Sequence, residues 1–172
     1  MTKRHRNAKT GHFVSAAEAE AAPEQHVSET VRHPVHLAVE RMNDHFLKVH
    51  VAGTGIVMHL FTAADGPDSQ PHDHPFAADI RILSGGYVEQ RFDVERPHDP
   101  PLEIIRREGD VFRNEASTVH RIIRLLDGGP VLTEFRPGPH EREPGFYRFD
   151  GGMVFHRFWH ESDFTLLDEE RE

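Results

Sequence analysis

The chain has 172 residues with 29 acidic and 20 basic side chains, a formal net charge of -9, fifteen histidines and no cysteine. This length suits one domain with a single core, and the negative charge repels a phosphate backbone, which argues against a nucleic-acid partner. Without cysteine the chain can form no disulfide and can offer a transition metal only imidazole and carboxylate ligands.

Signals for membranes and export are missing from the sequence. No apolar run approaches the ~20 residues that a membrane-spanning helix requires. The first residues, Met1 to Arg6, are basic but are not followed by the apolar core of a signal peptide. The sequence therefore predicts a cytoplasmic protein without a membrane segment.

The first part of the chain is polar. Residues 1–27 lack apolar periodicity, which is typical of a mobile tail, so the folded domain is predicted to occupy residues 28–172. Proline is favoured at the first position of a helix, and Pro34 is followed by a partial apolar stripe. These residues predict a short N-terminal helix, with the stripe made of Val35, Leu37, Val39, Met42 and Phe46.

The remainder reads as short apolar runs separated by turns rich in glycine and proline. Gly53-Thr54-Gly55 and Ser84-Gly85-Gly86 are typical hairpin turns. Strands are predicted over residues 46–52, 56–62, the segment ending at 83, 87–94, 102–107, 131–136, 146–149 and 153–159. Such a succession favours an antiparallel sandwich or barrel. The aromatic-rich last hairpin is expected to close one end of the barrel or to form a dimer contact.

Two segments, residues 66–86 and 109–124, contain the candidate site. His72 and His74 are separated by one residue, so on an extended segment both side chains project to the same face. Asp79 lies five positions further on and could join them. His120, in the second segment, is the candidate fourth ligand.

These two segments resemble the paired motifs of the cupin superfamily. The first cupin motif matches in spacing, with aspartate in place of the usual glutamate, at Gly66, His72, His74, Asp79 and Gly86. The second motif keeps its spacing at Gly109 and His120. It departs where proline, glycine and asparagine are expected, at Glu115, Ser117 and Arg124.

The resemblance spans roughly residues 46–136 and implies a fold, a metal and an assembly. The implied fold is a single-domain, antiparallel jelly-roll barrel of the all-β class, and the implied assembly is a homodimer. The implied metal ligands are His72, His74, Asp79 and His120. This donor set suits Fe(II), Mn(II), Ni(II), Co(II) or Zn(II), of which we favour Fe(II). Alternatively, Asp79 orients a histidine by a hydrogen bond instead of binding the metal.

Two arginines are candidate catalytic residues. Arg81 shares strand parity with the predicted carboxylate ligand, and Arg124 shares it with His120, so both face the interior if the strands run unbroken. An inward arginine needs an anionic partner. That partner is either a substrate carboxylate or phosphate, or a protein acid such as Glu89 or Glu134.

Two further histidines, His50 and His59, occupy strand positions. Each either lines an interior pocket or is an ordinary wall or surface residue. The sequence contains no Walker-type loop, no Gly-x-Ser-x-Gly elbow and no dinucleotide fingerprint.

Together these features predict a metal-dependent cupin enzyme, an Fe(II)-type dioxygenase that acts on a small polar or carboxylate-bearing substrate. Two alternatives stay open from the sequence. One is a non-catalytic cupin that binds or senses a small ligand, and the other is a metal-assisted isomerase or epimerase.

Overall fold

A computed structural model describes residues 2–10, 13–31, 36–66 and 68–167. The chain divides into two units, Met1–His36 and Leu37–Glu172. In the first unit, strand β1 (Thr2–Asn7) pairs antiparallel with β2 (Phe13–Val14) and β3 (His26–Val31). The sequence predicted a mobile tail over residues 1–27. The structure places strands and a helix there and puts the unit boundary after residue 36, while the mobility stays a prediction.

The helix of the first unit, α1 (Ala16–Ala21), begins with a capping box. The Ser15 hydroxyl accepts a hydrogen bond from the Glu18 backbone N–H at 3.2 Å. In return, the Glu18 carboxylate accepts one from the Ser15 backbone N–H at 2.8 Å. Two of the unpaired N–H groups at the helix start are thereby satisfied.

The second unit consists of β-strands, and these include the predicted strands with bounds that agree to within one or two residues. In chain order they are β4 (Leu37–Arg41), β5 (Phe46–Val51), β6 (Ile56–Phe61), β7 (Ala78–Ser84), β8 (Gly86–Phe92), β9 (Leu102–Arg107), β10 (Val111–Asn114), β11 (Val119–Leu125), β12 (Val131–Pro137), β13 (Gly145–Asp150), β14 (Met153–Phe158) and β15 (Thr165–Leu166).

Two antiparallel sheets face each other in this unit. The large sheet has the order β10-β7-β12-β6-β5-β4. The other, here called the histidine sheet, joins β9-β8-β11 to β13-β14-β15 through His72, which bridges to His120 on one side and Phe146 on the other. Apolar side chains from both sheets pack between them, including Ile82 and Val131 from the large sheet and Tyr87 and Ile122 from the histidine sheet.

The predicted all-β class is confirmed: the described residues form two antiparallel sheets in the second unit and one short α-helix in the first. The sheets do not close into a continuous barrel among the residues described. The helices in those same ranges are too short or too polar to cross a membrane.

The position of the predicted helix was wrong. Pro34 and Val35 lie outside the described residues, but Leu37–Arg41 forms strand β4 at the edge of the large sheet. Leu37 and Val39 fit a period of two as well as a helical stripe, and pairing with β5 decides between them. The side chains of Leu37 and Val39 are both exposed. They therefore make no core contacts of the kind that would stabilise the predicted helix.

Gly86 provides a test of how closely the histidine sheet packs. A methyl group on Gly86 would fall against the backbone oxygen of Arg106 and lie 2.8 Å from Leu126 Cδ1. We expect Gly86→Ala to lower the free energy of unfolding by about 1–3 kcal/mol, because backbone cannot move aside cheaply. Urea denaturation followed by circular dichroism measures this change.

The matched control is Gly129→Ala. Gly129 has a φ of -93°, and a methyl group on it would meet no neighbour within 4 Å, so its substitution should change stability by less than about 0.5 kcal/mol. Equal denaturation midpoints for the two variants would contradict the packing described here.

Candidate metal centre

A pair of backbone hydrogen bonds brings the two motif segments together. The His72 N–H donates to the His120 carbonyl and the His120 N–H donates to the His72 carbonyl, both at 3.0 Å. The His74 N–H donates to the Ala116 carbonyl at 3.1 Å. The His-x-His segment is thereby fixed beside β11, and residues paired in this way present their side chains on the same face.

The three imidazoles converge. One ring nitrogen from each of His72, His74 and His120 lies within 4.8 Å of the others. The ring centroids are 5.1 to 5.2 Å apart, and the Nε2 atoms of His74 and His120 lie 2.9 Å apart. We call these three residues the histidine triad.

Asp73, between the two histidines, projects to the opposite side and anchors the segment to β13. Its buried carboxylate accepts hydrogen bonds from the Gly145 N–H at 2.6 Å and the Tyr147 hydroxyl at 2.9 Å. It also pairs with Arg142 Nε at 3.3 Å. Burial raises the pKa of Asp73, and these three donors oppose the rise. The His-x-His segment is therefore held by a neighbour on its far side.

Glu89 on β8 supports the triad from behind. Its carboxylate is fully buried and lies 2.9 Å from His120 Nδ1. Its other oxygen pairs with Arg106 at 2.8 Å and Arg91 at 3.2 Å. Burial alone would raise the pKa of Glu89, but the His120 hydrogen bond and the two arginine charges lower it to about 2.

The ionised Glu89 sets the tautomer of His120. A carboxylate only accepts hydrogen bonds, so His120 Nδ1 carries the proton that it donates to Glu89. The other nitrogen, Nε2, then presents a lone pair to the triad when the ring is neutral. Sequence reasoning named Glu89 only as an ion-pair partner for an arginine. The sequence feature that could have identified Glu89 as part of the site is its position as an acidic residue within the otherwise apolar start of β8.

The imidazoles of His72 and His74 are neutral. Burial lowers the pKa of His72 to about 4, and the nearby His120 adds to the effect. Burial and the neighbouring histidines hold the pKa of His74 well below its ordinary value. Neutral imidazole is the form that binds metals, so the donor chemistry of the triad fits a divalent transition metal.

The triad lies on one wall of a cavity of about 810 Å³ between the two sheets. The opposite wall is formed by the large sheet and is mostly apolar, with Phe46, Phe61 and Phe135 among its side chains. A cavity of this size accommodates a small organic molecule.

Asp79 does not reach the triad. The chain bends at Pro75 and Phe76, and in β7 Ala78 and Ile80 are buried whereas Asp79 is exposed. Asp79 therefore lies on the opposite side of the strand from these buried residues. The Asp79 side chain is 61% exposed and pairs with Arg113 at 3.3 Å. Arg81 shares its outward parity and is exposed as well, so neither residue lines the cavity.

Arg124 faces outward because β11 contains a bulge. His120 and Ile122 are buried in regular pairing with β8, but the register shifts between Ile122 and Arg124, so Ile123 is an extra residue. Parity reverses beyond that point and Arg124 is exposed. Arg124 was predicted to face the interior only if its strand ran unbroken, and the bulge interrupts that strand. The alternative partners are also otherwise engaged, since Glu89 pairs with Arg91 and Arg106 and Glu134 pairs with Arg136 at 2.7 Å.

No protein-family model matches the sequence, and no curated protein matches it. Solved structures that match include the cupin domain of CENP-C from Drosophila melanogaster, with 10% identity, a TM-score of 0.47, and coverage of 59% of this chain and 75% of that one. Hydroxypropylphosphonic acid epoxidase from S. wedmorenis matches at 15% identity and a TM-score of 0.46, over 63% of this chain and 59% of that one.

The capsular polysaccharide assembling protein CapF from Staphylococcus aureus matches at 15% identity and a TM-score of 0.47, over 60% of this chain and 28% of that one. This chain thus spans less than two thirds of the epoxidase and of CapF. At these identities, function has to be argued from the residues of the chain itself.

Glu89 generates the first prediction about the site. Glu89→Gln keeps the shape of the side chain but removes the charge that holds the His120 proton, so affinity for Co(II) should fall by about 10–100-fold. Titration calorimetry against a competing chelator measures the affinity. Unfolding midpoints should be recorded in parallel, because Arg91 and Arg106 lose their partner in this variant.

Glu134→Gln is the control, since Glu134 makes an ion pair on the face of β12 that points away from the cavity. Its Co(II) affinity should equal that of the unaltered protein. Unchanged affinity in a folded Glu89→Gln variant would contradict the role given to Glu89.

Proposed function

We propose that the chain is a metal-dependent oxidoreductase of the Fe(II) dioxygenase type, acting on a small polar or carboxylate-bearing molecule. The observation that supports this most is the convergence of the three imidazoles of the triad on the wall of a mostly apolar cavity. Glu89 adds support, because a carboxylate behind a ligating histidine is a recurring feature of metal sites.

His72, His74 and His120 would hold the metal. A divalent metal there supplies a Lewis acid, and iron in addition supplies electrons to dioxygen. Three neutral nitrogens leave the charge of a divalent ion uncompensated, and Asp79 lies outside the site. An anionic ligand such as hydroxide would balance that charge.

The residues around the triad hold its imidazoles in place and form the wall opposite them. Glu89 fixes the His120 ring and its tautomer, and Asp73 fixes the backbone that carries His72 and His74. The aromatic side chains of the large sheet form an apolar wall in front of the triad. The homodimer and the cytoplasmic location stay predictions from the sequence.

Metal content tests the ligand set. Protein expressed without a histidine tag and loaded anaerobically with Fe(II) should bind about one equivalent, because three converging imidazoles form one site. Alanine in place of His72, His74 or His120 should reduce bound iron to below about a tenth of an equivalent, since two imidazoles hold iron weakly. Elemental analysis by mass spectrometry provides the readout.

Asp79→Ala is the matched control for that series, because Asp79 has the motif spacing but is exposed. It should retain the iron content of the unaltered protein. Loss of iron in Asp79→Ala, or its retention in a folded His120→Ala variant, would contradict the proposed ligand set.

Oxygen uptake tests the reaction class. We expect Fe(II)-loaded protein to consume oxygen when one member of a panel of small carboxylic acids is added, and Zn(II)-loaded protein not to, because zinc has no redox chemistry. An oxygen electrode measures the rate. Binding of an acid with no oxygen uptake would indicate a ligand-binding protein, and product formed under anaerobic conditions would indicate an isomerase.

A further inference from the structure

The cavity wall opposite the triad contains three polar side chains in one row. Lys48 on β5 is paired in register with His59 on β6, and His59 is paired with Thr133 on β12. Cross-strand pairs project to the same face of a sheet, and all three residues line the cavity. We call Lys48, His59 and Thr133 the polar row.

The polar row is set in apolar surroundings. The His59 ring stacks on Phe135 with centroids 4.5 Å apart and meets Phe46 edge-on at 5.1 Å. His59 is 9% exposed and Thr133 is 2% exposed. Polar groups on a buried apolar wall are costly unless they bind a polar partner.

The described part of the chain forms no hydrogen bond or ion pair with these three side chains. Within the described ranges, no carboxylate forms an ion pair with Lys48, and neither the His59 ring nor the Thr133 hydroxyl makes a hydrogen bond. Glu40 stands opposite Lys48 on the edge strand β4, but it is half exposed and its carboxylate contacts His50 Nε2 at 3.0 Å. The donors of the row therefore face the cavity without a hydrogen bond or ion pair to the described residues. The Phe46 ring, with its centroid 5.5 Å from Lys48 Nζ, and the charge of Glu40 lie near Lys48.

The row lines the same cavity as the triad. Burial and the charge of Lys48 lower the pKa of His59 itself to about 3, so its ring is neutral. A small molecule between the two walls can contact both.

We propose that the polar row binds the carboxylate of the substrate, with Lys48 as its counter-ion and His59 and Thr133 as hydrogen-bond donors. One cation matches one negative charge, which favours a carboxylate over a phosphate dianion. The aromatic neighbours favour an apolar body on that acid. This inference rests on the proposed function in taking the bound acid to be the substrate of the metal centre. It gives the polar row the role that the sequence assigned to Arg81 and Arg124.

The test uses phenylacetate and its neutral amide, phenylacetamide, as probes. Both are titrated by calorimetry into the full chain after removal of metal with a chelator, so that the acid cannot bind through a metal. We expect phenylacetate to bind at least ~10-fold more tightly than the amide, because a charged partner strengthens the hydrogen bonds. Lys48→Met should abolish this preference, and the nearly isosteric Thr133→Val should reduce it about tenfold.

Arg124→Met is the control, since it removes a cation from the exposed face of β11. It should leave the preference unchanged. Equal affinities for acid and amide in the unaltered protein, no binding of phenylacetate at millimolar concentration, or a preference retained in Lys48→Met would each overturn the proposal. Unfolding midpoints establish that the variants fold, and Thr133→Val decides the outcome if Lys48→Met does not.

Iron content separates this inference from the proposed function. A Lys48→Met variant that keeps its iron but loses the acid preference supports the polar row independently. Unaltered protein that shows the preference but binds no iron would overturn the metal proposal alone.

Discussion

The Glu89 carboxylate is fully buried and accepts a 2.9 Å hydrogen bond from His120 Nδ1. A buried charge is costly, and here Arg91 and Arg106 offset that cost while leaving one carboxylate oxygen for the imidazole. The four residues come from β8, β9 and β11, which are adjacent strands of the histidine sheet. The orientation of His120 therefore depends on sheet packing, and sites built on regular elements are more precisely positioned than sites on loops.

The second constraint is the backbone pair between His72 and His120. It makes His72 the link between the two halves of the histidine sheet, so the residue that joins the halves also belongs to the triad. The large sheet faces this wall across the cavity and presents the polar row on an aromatic background. A ligand in the cavity thus meets the imidazole nitrogens of the triad on one side, and Lys48 with two hydrogen-bond donors on the other.

Local patterns in the sequence predicted the strands, the antiparallel class and the shared face of His72 and His74, because each depends on turn residues or on alternation within one strand. His120 was named from the second segment, whose spacing resembles the second cupin motif. Asp79 was named from the spacing of the cupin motif, but its odd position puts it on the face opposite to Ala78 and Ile80. Arg124 was misplaced because a bulge resets the alternation in β11, and a bulge leaves no clear mark in the residue types. Glu89 and the polar row depend on register between strands distant in sequence, which local patterns do not encode. Leu37 was assigned to a helix because a short apolar run fits the helical period as well as the strand period of two. Only the pairing with β5 decides between them.

Crystallography with anomalous scattering on metal-loaded protein tests the central claim most directly. The claim is that three imidazoles from two distant segments bind a single ion at the cavity wall. Glu89 fixes one of these imidazoles, that of His120. It predicts one strong anomalous peak bound to a ring nitrogen of each of His72, His74 and His120, at about 2.0–2.2 Å. A peak at other histidines, or a triad that binds no ion in metal-saturated crystals, would contradict it.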